Sequence, residues 1–153
     1  MTNTGRDRTI TTNRRARYDY DILDTLEAGL VLTGTEIKSI RAGRVNLSDA
    51  HARPENGEMW LHNAHIGEYS AGNLNNHEPK RARKMLLRRD QITDLTKQVS
   101  ERGLALVPLK LYIRGGYAKV ELAVARGRKR FDKRRAIIDR EREREARDAI
   151  KTR

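Results

Sequence analysis

The sequence contains no cysteine, so neither a disulfide frame nor a thiolate metal site can hold the fold, and packing alone must do so. No stretch approaches the roughly 18 consecutive apolar residues that a spanning helix needs. Residues 1–17 are polar and carry no apolar signal core, so membrane insertion and export are not expected, and a cytoplasmic setting is. There is no Gly-x-Ser-x-Gly turn and no phosphate loop ending in Gly-Lys-Ser or Gly-Lys-Thr. Catalysis has no visible home and no cofactor is called for, so an enzyme is not expected. The chain has four histidines. His62 and His65 fall in one expected strand, where a separation of three turns their side chains to opposite faces and keeps them from converging on one ion.

What the chain has in excess is positive charge. Lys and Arg number 33 against 21 Asp and Glu, a net +12 with a pI near 10.5, and such a surface draws polyphosphate from a distance. Its 153 residues suit one domain. Of the +12, residues 126–153 carry +7. Their only sizeable apolar side chains are Phe131, Ile137, Ile138 and Ile150, too few to cover a helical face. That tail is expected to be disordered in the free protein and to turn helical where a polyanionic groove takes up its charge. Glu143 to Arg147 and Glu141 to Arg144 stand at helical pair spacings. The expected organisation is a flexible N-terminus (1–12), a folded body (13–125) and a basic C-terminal tail (126–153).

The body reads mainly as strand. Val107, Leu109, Leu111 and Ile113 alternate with Pro108, Lys110 and Tyr112, and past Gly115-Gly116 the alternation resumes with Ala118, Val120, Leu122 and Val124, a β-hairpin. Pro108 asks for an unpaired edge or a bulge. Asn56-Gly57 signals a second hairpin with a type I′ turn and a returning strand over 60–66. Further strands are expected over 18–26 and 30–32, a short helix over 34–42, and a helix over 91–102 capped by Asp90 and stopped by Gly103. Residues 67–83 read as a long polar loop. Five or six short antiparallel strands with a helix at one end describe a small β-barrel of the oligonucleotide-binding (OB) type, with an open α+β sheet as the alternative.

Two basic clusters stand out. Lys80, Arg81, Arg83, Lys84, Arg88 and Arg89 place six cations in ten residues with no acid between them, a pattern expected to face a polyanion. Arg14, Arg15 and Arg17 precede Tyr18 and Tyr20, whose spacing puts both rings on one face of an expected strand, for stacking on bases or for core packing.

Several blocks resemble the SmpB family of SsrA-binding proteins. They begin with Asn13-Arg14-Arg15-Ala16-Arg17 followed by Tyr20, and with the unbroken run from Glu27-Ala28-Gly29-Leu30 through Thr33-Gly34-Thr35-Glu36-Ile37-Lys38 to Ala42-Gly43. Asn76-His77-Glu78-Pro79 leads into Arg83-Lys84-Met85-Leu86-Leu87. Leu106-Val107-Pro108-Leu109-Lys110-Leu111-Tyr112 follows, and then Gly127-Arg128-Lys129 and Asp132-Lys133-Arg134. The resemblance spans residues 13–147.

It implies an OB-type barrel that grips the tRNA-like domain of tmRNA and accompanies it, as a monomer, into ribosomes stalled on messages lacking a stop codon. The tail would enter the vacant decoding region of the small subunit and the message channel, turn helical there, and license tagging of the stalled peptide. By the same resemblance Glu27, Leu86 and Arg88 stand at the tmRNA surface. Charge adds Lys38, Arg41 and Lys84 as phosphate contacts, with Arg14, Arg15 and Arg17 as a further RNA-binding cluster. Glu27 fits a structural or hydrogen-bonding part better than a phosphate ligand, since a carboxylate repels phosphate. In the tail, Gly127 resembles a hinge, Arg128 and Lys129 follow it, and Asp132, Lys133 and Arg134 resemble the decoding-region contacts. Phe131 stands where the family often has histidine, keeping a ring but losing its proton. Arg88 stands where histidine or asparagine is common, which turns that position toward phosphate. A constitutive rRNA-binding protein with the same barrel and tail is the rival reading.

Overall fold

Alternation is strongest in two long strands, β8 (Ala105–Arg114) and β9 (Tyr117–Gly127), which pair through a turn whose glycines, Gly115 and Gly116, both take positive φ. The computed structural model describes residues 7–69, 76–128 and 130–151, with side chains for all of these but 130–136 and 148–151. Around the hairpin stand β1 (Arg8–Thr12), β2 (Tyr20–Leu30), β4 (His51–Glu55), β5 (Glu58–His62) and β7 (Arg83–Leu86), with the short strands β3 (Val45–Asn46) and β6 (His65–Ile66) paired to each other. The sheet order is β1-β8-β4-β5-β7-β2-β9, every pairing is antiparallel, and the β8–β9 pairing closes six strands into a ring. β1 lies on β8 beside Lys110 to Ile113, beyond the point where β4 pairs at Leu106. This is the small OB-type barrel that the strand pattern suggests.

Inside the ring, Met59, Leu61, Met85, Leu106, Leu111, Val120 and Leu122 are all but sealed from solvent, each such side chain contributing roughly 1.5–3 kcal/mol. A second apolar cluster lies outside it, where Ala16 of α1 (Arg14–Asp19) packs on Val107, Leu109, Ala123 and Ala125. Two β-bulges make both clusters possible. The β8–β9 register slips between Pro108 and Lys110, leaving Leu109 as the extra residue, and the β2–β9 register slips between Ile22 and Asp24, leaving Leu23. A one-residue slip flips every later side chain to the other face. Val107 and Leu109 therefore face α1 while Leu111 and Ile113 face the barrel interior, although they read as one stripe in the sequence. Tyr20 and Ile22 likewise pack outward and Leu26 and Ala28 inward.

Helix α2 (Gly34–Arg41) starts in a capping box: Glu36 N donates to Thr33 Oγ1, and Thr33 N donates to Glu36 Oε1 at 2.8 Å. Helix α3 (Arg89–Arg102) turns Ile92, Leu95 and Val99 toward the core and ends at Gly103 in the left-handed region, φ 63°. The Asn56-Gly57 turn takes positive φ at both residues as expected, but its returning strand stops at His62 because Asn63 also has positive φ.

Other expectations are corrected. The strand expected from residue 18 begins at Tyr20, because the side chain of Asn13 accepts from Ala16 N at 3.3 Å and starts a helix over Arg14–Asp19, so Tyr18 and Tyr20 share no strand face. The cap position of α3 is Arg88, whose N–H donates to Gln91 Oε1 at 2.9 Å, and Asp90 sits within the first turn. Both boundaries of the body move outward: Arg8–Thr12 is a paired strand, and β9 continues through Arg126 and Gly127 opposite Asp21 and Tyr20.

The tail, expected to be disordered in the free protein, is here a helix, α4 (Arg130–Lys151), and α1 meets it. Its arginines and glutamates are helix-forming residues, and their alternation sets opposite charges at i, i+3, as at Glu141 and Arg144. Ile137 and Ile138 stay exposed, and none of its described side chains joins either apolar cluster.

Candidate RNA interface

The register lays out the outer face of the barrel in rows. Leu86, Gly29, Lys119 and Tyr112 stand side by side across β7, β2, β9 and β8, and the next row holds Glu27, Glu121 and Lys110. Gly29 leaves room for Leu86, since a Cβ on it would meet Leu86 Cβ at 3.3 Å. Beside this row, Val31, Ile37, Leu86 and Tyr117 expose apolar surface around a groove of about 340 Å³, rimmed by Arg41 and Lys119. Exposed apolar surface bounded by cations suits unpaired bases or sugars with their phosphates at the rim.

Glu27 sits at the margin of this groove. Tyr112 Oη donates to Glu27 Oε2 at 2.5 Å, Arg114 Nη1 donates to the same oxygen at 2.8 Å, and Lys119 Nζ lies 4.0 Å from Oε1. The Tyr112 ring lies between Lys110 Nζ, 5.4 Å from its centroid, and Arg114 Cζ at 5.5 Å. Burial and the neighbouring Glu27 carboxylate push the Tyr112 hydroxyl well above its ordinary range, so it keeps its proton and donates. Tyr112, Arg114 and Lys119 were not singled out from the sequence. The signal was the outward side of the β8 alternation, Lys110-Tyr112-Arg114.

The basic run at 80–89 is not the unscreened patch that the sequence suggests. Arg83 is fully buried, donating from Nε to Glu36 Oε2 at 2.6 Å and from Nη1 to Ala64 O at 2.6 Å. Arg81 Nη2 donates to Glu36 Oε1 at 2.5 Å. Burial alone would raise the Glu36 carboxyl, but Arg81, the Thr33 amide and Arg83 together hold it below its ordinary value. Lys84 lies 3.0 Å from Glu58, and Arg88 3.1 Å from Asp90. Glu36 and Glu58 come from elsewhere in the sequence and Asp90 directly follows the run, so two of its cations hold the fold and two more have surface partners.

The remaining candidates divide between the two ends of the barrel. Lys38 is exposed on α2 with Nζ 5.6 Å from the Tyr69 ring, and Arg41 is exposed at the groove. Arg14, Arg15 and Arg17 are exposed on α1, which packs near Ala123 and Ala125 and not near Ala118 and Lys119 at the groove. The two places are separated by roughly 20 Å along β9 at about 3.4 Å per residue. Gly127 is paired with Tyr20, and Arg128 N donates to Asp19 O at 2.9 Å, so the sheet holds the point where the resemblance implies a hinge. Lys129 lies outside the described residues, as do the side chains of Phe131, Asp132, Lys133 and Arg134, whose backbone is part of α4.

Several residues that carry the resemblance are structural pins. Asn13 Nδ2 donates to the carbonyls of Leu47 and Pro108, and Asn76 bridges both backbone groups of Tyr69. The buried His77 ring joins Thr35 Oγ1 at 2.9 Å to Ile66 O at 2.8 Å. His62 and His65 belong to different strands, and His62 stacks on His51 with centroids 5.6 Å apart.

The SmpB protein family model matches residues 10–152. An SsrA-binding protein of Thermobifida fusca (strain YX) is 56% identical over 146 residues, 95% of this chain and 91% of that one. One from Frankia casuarinae is 58% identical over 142 residues, 93% of this chain and 89% of that one. A chain from a solved structure described as "tmRNA-SmpB: a journey to the center of the bacterial ribosome" superposes with TM-score 0.67 at 47% identity, covering 83% of this chain and 93% of that chain.

Proposed function

The chain belongs to the SmpB family, and from that premise we propose that it binds the tRNA-like domain of tmRNA, enters stalled ribosomes with it, and enables tagging of the stalled peptide. The single observation that carries this reading is the apolar groove on the outer barrel face, with Leu86 over Gly29, Arg41 and Lys119 at its rim and Glu27 beside it. It offers stacking surface and fixed polar groups to folded RNA, which uniform positive charge does not. Lys38 and Lys84 extend its rim toward phosphates, and Arg88 follows Leu86 at the start of α3.

The tail carries more than half of the net charge and leaves the barrel at the far end from the groove. A helix so polar on all sides is marginal in water by itself. Its helical content therefore depends on the surface that takes up its arginines, and the vacant decoding region and message channel of the small subunit supply such a surface. Phe131, Asp132, Lys133 and Arg134 make the contacts nearest the barrel, with Arg128 and Lys129 leading into them. The chain acts as a monomer in the cytoplasm by chemistry that is binding and not catalysis.

The test is a tagging reaction reconstituted on a ribosome stalled without a stop codon. Tagged peptide is expected only when the protein is added, and equal tagging with and without it removes the reading. The rival, a constitutive rRNA-binding protein, is separated by competition at matched salt. A tRNA-like-domain transcript is expected to outcompete an rRNA hairpin of equal length, a ranking that phosphate attraction alone does not give.

A further inference from the structure

We propose that Tyr112 and Arg114 lock the Glu27 carboxylate so that its other oxygen, Oε1, accepts a hydrogen bond from a neutral donor of the bound RNA, a base N–H or a ribose 2′-hydroxyl. Glu27 thereby reads an RNA edge, and Tyr112 is its positioning residue. The inference rests on the RNA-binding reading of the groove. Both clamp donors converge on Oε2, at 2.5 Å from Tyr112 and 2.8 Å from Arg114, whereas among the described residues Oε1 accepts no hydrogen bond and Lys119 Nζ stands 4.0 Å from it. An ionised carboxylate only accepts, so the ligand of Oε1 must be a donor, and a phosphate is repelled.

The placement is also poor for the sheet itself. Glu27 stands directly opposite Glu121, and like charges opposite each other weaken a strand pair. Lys110 partners Glu121 at 3.9 Å, which leaves Glu27 to its own clamp. The clamp is rigid, because Tyr112 is held between two cations and its hydroxyl stays protonated. Glu27 is two residues from Gly29 on the same face, so a nucleotide lying over Leu86 and Gly29 brings its polar edge to Oε1.

The experiment measures affinity of the full chain for a tRNA-like-domain transcript across a salt series. Tyr112→Phe is expected to weaken binding about tenfold, the scale of one charge-assisted hydrogen bond, with the salt slope unchanged because every phosphate remains neutralised. Combined with Glu27→Ala, Tyr112→Phe is expected to add nothing further, since it acts through Glu27. Two RNA series use the unaltered protein and so do not depend on a variant's folding: at each unpaired base, analogues that each lack one base N–H donor (inosine for guanosine among them), and 2′-deoxyribose for each ribose. One substitution is expected to weaken the unaltered protein about tenfold, and to leave Glu27→Ala indifferent. The series in which it falls identifies the donor. Full affinity of Tyr112→Phe, additive losses in the double variant, or no effect anywhere in either series overturns the clamp while leaving transcript preference intact. Loss of that preference in the unaltered protein overturns the functional reading beneath it.

Discussion

The two ends of the barrel handle charge differently. At the groove end most charges are matched and fixed: Glu36 with Arg81 and Arg83, Lys84 with Glu58, Glu27 with Arg114 and Tyr112. At the other end Arg14 and Arg17 carry no ion pair among the described residues, and the tail that begins there holds +7 of the net +12. A matched surface recognises by shape and by the direction of hydrogen bonds, and is little affected by salt. An unmatched one recognises by charge and is strongly affected. The difference assigns selection of the RNA to the groove end and capture of an anionic channel to the tail end.

The sharpest way to break this comparison is to remove one end. The sheet runs through Gly127, and Arg128 is tied to Asp19 and lies 3.0 Å from Asp21, so the cut belongs after Arg128. The shortened chain is expected to lose tagging altogether. Its transcript affinity at physiological salt should stay within about twofold, because charges roughly 20 Å from the groove lie beyond a Debye length of about 8 Å. Loss of transcript binding in the shortened chain would erase the division between the ends.

The next largest effect is expected at the ion triad of Glu36, Arg81 and Arg83, in which Glu36 and Arg83 are buried. Glu36→Gln leaves Arg83 buried without its counter-charge, and breaking such a pair costs about 3–5 kcal/mol, read by urea unfolding. Its pH dependence has a definite sign. The folded carboxyl is held below the ordinary 4.5, so the contribution is fully present above that value and is lost as pH falls through the lower folded value. The variant should therefore lack the acid-side loss of stability that the unaltered chain shows.

Much of this arrangement is legible in the residues, and the parts that are not share a cause. The hairpins, the two glycine-marked turns and α2 follow from alternation, positive-φ residues and a capping box, all local rules. Local rules cannot see a slipped register, so Leu109 and Leu111 read as one stripe although the bulge sends them to different clusters. Nor can they see partners far along the chain. Arg83 looks like an RNA contact beside Lys84 because Glu36 is 47 residues away in sequence, and Tyr112 looks like one more outward strand residue because Glu27 is 85 away. The groove escapes for the same reason: Gly29, Ile37, Leu86 and Tyr117 sit in four separate elements or turns and meet only after the ring closes.

A smaller effect should sharpen the contrast from the tail side. Replacing Arg14 and Arg17 by Gln removes two exposed cations from α1 without touching the groove. Transcript affinity should hold, while binding to vacant small subunits weakens and its salt slope falls by about 1 for each phosphate no longer neutralised. An equal fall in transcript affinity would mean that both ends face the same RNA.

The smallest effect is a control on charge that serves neither end. In the β4–β5 hairpin, burial first, then His62 and Arg53, hold His51 below its ordinary 6.5. The unfolded chain therefore takes up this proton before the folded one does. Stability is expected to be level above about pH 6.5, to fall as pH drops through that value, and to level again below the lower folded value. His51→Gln should remove that step in melting temperature, measured between about pH 7.5 and 5.5, and leave the acid-side loss due to Glu36 in place. Because His51 does not line the groove and its interacting partners are Asp49, Arg53 and His62, the same substitution should leave transcript affinity and tagging unchanged across that range. A step in either one that disappears with His51 would place this hairpin in the recognition surface, and the two-ended division would then need a third site.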